Sequence, residues 1–434
     1  MDDLAARLSD PQRPVFLLGE VPPAQKTPPG QVEQICRKFA NRSRALATDG
    51  FIVYDIQDEP GRSDGDNKRP FPFRRLMDSS PYAALLRQTS GNPCLVYKCI
   101  ADAQLEQWLE DASSKHSHTA INLVGRPSSQ GDYPGPTLNE AMSMVATPKS
   151  SDSNKNNNNQ NNPQQPPPLQ FGCVCIAERH TLESARARGK DYPTEHWNML
   201  RKQTAGASWF ISQAVYDVEP TIRLLQDYAS TCRQRGVTPN KVVLTFCPVS
   251  RPKTMTFMQW LGIRVPESVQ RRILEADNSV EESIRVCCSH LEQILTACVG
   301  WHVPLGISCE SVSIFKAEID GVHELFRRLQ ILLLNHGGNP WKVAWVQIDE
   351  PLFQRRRRQQ YDDDESEDDA NHRSLQRSSR VDPVLTALGG AVIGGLLVGA
   401  GVLLGESNNN NNNNNSSGGG GVGNRIVLSS ARNS

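Results

Sequence analysis

Residues 171–180, FGCVCIAERH, and 196–217, HWNMLRKQTAGASWFISQAVYD, read as two buried strands joined by a helix. The runs 171–176 and 209–215 are apolar, rich in β-branched and aromatic residues, bounded by turn or charged residues, and too short for helices. The segment between them carries a helical pattern that stops at Gly206. Both strands end on polar groups, Glu178 and His180 on the first and Gln213 on the second. This is the repeating unit of a parallel α/β fold, in which ligand-binding groups collect at the C-terminal ends of the strands.

Working outward, the same kind of strand recurs at 14–21 (PVFLLGEV), 50–56 (GFIVYDI), 94–100 (CLVYKCI), 119–125 (TAINLVG), 241–249 (KVVLTFCPV) and 304–312 (PLGISCESV). Helical spacing appears at 31–47, 81–88, 102–112, 137–145, 218–235, 254–261, 280–299 and 315–334. Eight strands alternating with helices, with no hairpin signal between them, predict an α/β fold closed into a (β/α)8 TIM barrel over residues 1–353.

The chain has 434 residues and a formal net charge of zero, so nothing argues for a nucleic-acid partner. Its 11 cysteines are odd in number and sit mostly inside apolar runs, which predicts buried free thiols in a reducing, intracellular compartment. No cysteine pair has zinc spacing, and no metal is expected. The N-terminal MDDLAARLSD lacks the apolar stretch of a secretory signal.

Residues 150–168 are a low-complexity insertion in a helix-to-strand loop, on the barrel face away from chemistry. Residues 354–384 read as a charged, disordered linker and 406–434 as a disordered tail. Between them, 385–405 (LTALGGAVIGGLLVGAGVLLG) is uncharged and long enough to cross a bilayer. Its glycines fall at small-xxx-small spacing, so a transmembrane helix anchoring the barrel is the expectation here. The oligomeric state is left open, a homo-oligomer among the choices.

The strand ends gather Glu20, Asp55, Lys98, Arg126, Glu178, His180, Gln213, Arg251 and Glu310 into one expected ring. Such a mixture suits a polar, partly anionic small molecule on which acid or base work is done. LRKQTAGASWFISQAVYD and the earlier AERH resemble the methylenetetrahydrofolate reductases, flavoprotein TIM barrels that reduce a folate-bound one-carbon unit with a nicotinamide donor. The resemblance covers about residues 14–334 and is clear from 171 to 218. It implies FAD as cofactor, NADH or NADPH as donor and a folate-like substrate. Glu20, ahead of Pro22 and Pro23, would be the general acid; Gln213 and Glu310 would bind substrate; His180, Arg201, Lys202 and Arg126 would hold the flavin.

Departures are plain. Val124-Gly125-Arg126 stands where the family ends its fourth strand in Arg-Gly-Asp, and Glu20 lies one residue too close to the prolines. Two alternatives therefore stand beside the reductase. One is an inactive barrel that binds a folate or a protein at a membrane. The other is a flavin-independent lyase in which Lys98 forms a Schiff base.

Overall fold

The computed structural model describes residues 3–58, 69–126, 133–146, 168–313 and 315–336. The expected regions 150–168 (except Pro168), 354–384, 385–405 and 406–434 lie outside them. Among the described residues no helix is long and apolar enough to cross a membrane.

Eight parallel strands close on one another in chain order, β1 pairing with both β2 and β8. They are β1 Phe16–Glu20, β2 Gly50–Val53, β3 Cys94–Cys99, β4 Ala120–Val124, β5 Gln170–Cys175, β6 Trp209–Ala214, β7 Lys241–Phe246 and β8 Leu305–Cys309. Each is buried along most or all of its length, as strands covered on both faces must be. The outer layer contains α2 Pro29–Ser43, α3 Ser79–Ser90, α4 Leu105–Ser114, α5 Leu138–Ala146, α7 Glu195–Thr204, α8 Val218–Gln234, α11 Ser279–Ala297 and α12 Lys316–Asn335. Shorter helices α6 Leu182–Arg186, α9 Pro252–Trp260 and α10 Glu267–Leu274 occupy the loops after β5 and β7.

Alternation along the strands divides the core into two clusters. Phe16, Leu18, Phe51, Val53, Val96, Leu123, Cys173, Phe210, Leu244 and Cys309 pack outward against the helices. Leu17, Ile52, Tyr54, Leu95, Tyr97, Ala120, Trp209, Ile211 and Val243 fill the lumen. Trp209, fully covered, dominates its lower part. A Cβ on Gly172 would come within 2.0 Å of the Trp209 indole nitrogen, which is why FGCVC carries glycine there.

Neither α10 nor the N-terminal helix was expected from the sequence. α1, Leu4–Ser9, closes the N-terminal end of the barrel, with Leu4, Ala5 and Leu8 joining the lumen cluster. Asp3 caps it by accepting from the Ala5 N–H at 3.2 Å. The Arg7 guanidinium pairs with Asp49 and the Lys241 ammonium donates to the Arg7 carbonyl, tying α1 to β7 and to the residue before β2. The leader contained three apolar residues at helical spacing, too few for a periodicity signal but enough for a plug.

Candidate functional site

A one-residue displacement in β1 controls the lumen. Phe16 and Leu18 face the helices, so Glu20 does too, and Gly19 takes the inward position. Glu20 is completely buried beneath α2 and α3, where the Tyr82 hydroxyl donates to its Oε1 at 3.1 Å. Burial pushes its pKa up to about 8, opposed by the Tyr82 hydrogen bond and the Arg42 charge. The expectation that Glu20 stands at the barrel mouth is corrected on this ground. In the same way Lys98 shares the outward parity of Val96. Its ammonium meets Asp102 at 2.6 Å and lies 4.8 Å from the Trp108 ring centre, so it faces α4 rather than a lumen substrate. The Schiff-base expectation loses its geometry.

The inward carboxylate is Glu310, just past β8. A Cβ on Gly19 would stand 3.0 Å from the Glu310 Cβ and 2.8 Å from the Tyr54 ring. The Tyr54 hydroxyl donates to Glu310 Oε2, and Tyr54 meets Tyr97 edge to face with centroids 4.8 Å apart. Burial first, then the Glu310 charge, hold both phenols well above their usual pKa, so they remain donors. Tyr97 pairs in register with Asn122 of β4; the Tyr97 hydroxyl and both polar atoms of the Asn122 amide are buried without a protein partner. Glu310, Tyr54, Tyr97 and Asn122 thus line four strands of the lumen, all at 1% exposure or less. Glu310 was expected to bind substrate; here a wall of tyrosine closes over it. The period-two spacing of Ile52 with Tyr54 and of Leu95 with Tyr97 was the sequence signal for that wall.

The rim is polar above β5 and β6. Glu178 lies in a short 3-10 turn, Ala177–Arg179, directly after β5. Burial raises its carboxyl to about 7, with the Asp217 charge adding to the rise and backbone hydrogen bonds, including one with Arg264, opposing it. Arg264 reaches Asp217 at 3.3 Å. Gln213, beside a register shift in β6, donates from Nε2 to the Leu261 carbonyl at 3.1 Å, which points it toward the same post-α9 loop. Next to these groups lies a cleft of about 390 Å³ lined by His180, Asp217, Arg223, Arg264, Glu183 and Glu219 among others. The structure therefore brings Glu178, Gln213 and His180 into one sector, together with Asp217 and Arg264, which the sequence reading did not single out as ligands.

The residues expected to hold flavin do not converge. Lys202 donates to the Val174 carbonyl at 2.7 Å, Arg201 is exposed on α7, and Arg126 is exposed and donates to the Gly135 carbonyl at 3.0 Å. The His180 imidazole is covered and its Nε2 lies 2.9 Å from Asp227. A dinucleotide needs fixed cationic donors on one pyrophosphate, whereas Lys202, Arg126 and His180 are each engaged with a different partner.

Eight parallel strands closed in chain order, with ionisable groups past their carboxyl ends, define the class as a (β/α)8 barrel. The model of the methylenetetrahydrofolate reductase family matches residues 172–302, from β5 through the loop after α11. No functionally curated protein sequence matches the chain. Among solved structures, an uncharacterised protein from Clostridium thermocellum that binds two copies of 5-methyl-5,6,7,8-tetrahydrofolic acid superposes with a TM-score of 0.58 at 21% identity. That likeness covers 76% of this chain and 100% of the other, and shows the common fold. Yersinia pestis dihydropteroate synthase gives a TM-score of 0.34 at 11% identity over 75% of this chain and 94% of the other.

Proposed function

We propose that this barrel is a folate-related one-carbon protein that binds a reduced folate at the rim above β5 and β6, with Glu178 as its acid–base group. The observation that carries the reading is that the family match falls on the sector that builds this rim. Rim chemistry supports it. A pterin presents amide and amino edges that the Gln213 carboxamide and the Asp217 carboxylate can pair with, and the anionic glutamate tail calls for cations such as Arg264 and Arg223. The folate-binding relative of the same fold adds weight. A carboxyl held near neutrality suits proton transfer at cellular pH.

The position facing the lumen on β1 is a glycine walled in by Tyr54 and Glu310, so an acid there has no room. With Lys202, Arg126 and His180 each held by a different partner, the residues present do not fit FAD. Calorimetric titration of the full chain with 5-methyltetrahydrofolate and with 5,10-methylenetetrahydrofolate tests the proposal. Saturable binding of either, weakened by Gln213→Ala and Arg264→Ala, is the expected result; no saturable binding of either ligand overturns it. An absorbance spectrum of the same preparation decides the cofactor: flavin bands bleached by NADH or NADPH would establish the reductase activity instead.

A further inference from the structure

We propose that His180, His196 and Asp227 form a binding site for a divalent transition-metal ion of the zinc class, beside the rim cleft and independent of the folate reading. The three side chains come from three elements: the turn after β5, the first turn of α7 and the middle of α8. One donor atom from each lies within 4.8 Å of the other two. His180 Nε2 is 2.9 Å from an Asp227 carboxylate oxygen, and the two imidazoles meet edge to face with centroids 5.1 Å apart.

A hydrogen-bonded His–Asp pair that pins α8 to the β5 turn would account for one nitrogen of one ring. It leaves the Nδ1 atoms of both His180 and His196 buried and without a partner, and it gives no reason for a second imidazole to converge on the same carboxylate. A neutral imidazole has one lone pair to give, and a cation uses one from each ring. Zinc is bound by His nitrogen at about 2.0–2.1 Å and by carboxylate oxygen at about 2.0–2.2 Å. Donors that far from the ion in a tetrahedron stand a little over 3 Å apart, so closing on a cation from the present separations needs only small side-chain rotations.

Two nitrogens and one oxygen select zinc, cobalt, nickel or iron over calcium or magnesium. Three protein ligands leave a position for water, as in zinc sites that stay open to ligands. Access exists, because the Asp227 side chain is 47% exposed while His180 is covered. Glu195, 1% exposed and next to His196 in the chain, supplies a second carboxylate charge to the neighbourhood. His180 and Arg223 border the cleft described above, so a bound cation would sit at its edge.

The test uses the full chain stripped with a chelator and titrated with Zn(II) and with Co(II). One equivalent of each should bind, Co(II) with the visible bands of a tetrahedral nitrogen and oxygen site. Asp227→Asn, half exposed and nearly isosteric, should weaken binding by about tenfold or more without unfolding the chain, and His196→Gln should do the same. Failure to bind a stoichiometric ion overturns the proposal. So does binding that both variants leave unchanged, and so does a thiolate-to-cobalt charge-transfer band, which would place the ion on one of the 11 cysteines.

Discussion

Replacing Glu20 by glutamine separates a catalytic acid from a buried one. Glu20 is 1% exposed, and burial pushes its pKa up to about 8 from the ordinary 4.5. The folded chain therefore holds this proton where the unfolded chain has released it. Because the folded pKa is raised, stability is lost as pH climbs from 4.5 to about 8 and levels off above. One pKa unit is worth about 1.4 kcal/mol, so between pH 5 and pH 8 the wild type should lose about 3 kcal/mol through this residue alone. Glutamine keeps a neutral group that can accept from Tyr82 and has no proton to lose. Urea unfolding of wild type and Glu20→Gln at pH 5 and pH 8 reads the effect as a difference of differences, in which all other titrations cancel. The stability gained by the variant should widen by about 3 kcal/mol toward pH 8, and folate binding should be untouched. A gap equal at the two pH values, or loss of folate binding in a folded variant, would refute the outward placement of Glu20.

Tyr54→Phe removes a buried donor to Glu310 and should cost about 1–3 kcal/mol in a denaturation midpoint. Leu8→Asp places a charge in the plug at the floor of the lumen and should lower the melting temperature by several degrees or prevent folding, whereas Glu292→Gln on α11, exposed, should change little. For Glu178, raised to about 7, ligand binding or turnover should bend near that pH, and Glu178→Gln should flatten the profile in a pH titration of either readout.

The eight strands and most of the helices were legible in the sequence because strands buried on both faces are nearly continuous apolar runs, and amphipathic helices separate them. Runs such as FGCVC and WFISQA need no tertiary information to be read as strands. The family likeness was legible from the same segment, 171–218, which lies largely within the matched residues. What the sequence could not decide was direction. Whether Glu20 or Gly19 faces the lumen turns on one residue of register, since a strand's side chains alternate and a slip of one exchanges the faces. Lys98 failed as a lumen nucleophile for the same reason, and Glu310, 290 positions from Glu20 in the chain, stands beside Gly19 because closure brings β8 against β1. His180, His196 and Asp227 lie on three elements and share no sequence motif; only the packing of α7 and α8 around the β5 turn sets their donor atoms together. Local residue pattern fixes which elements form, while the barrel's closure and the parity of each strand fix which side chains meet.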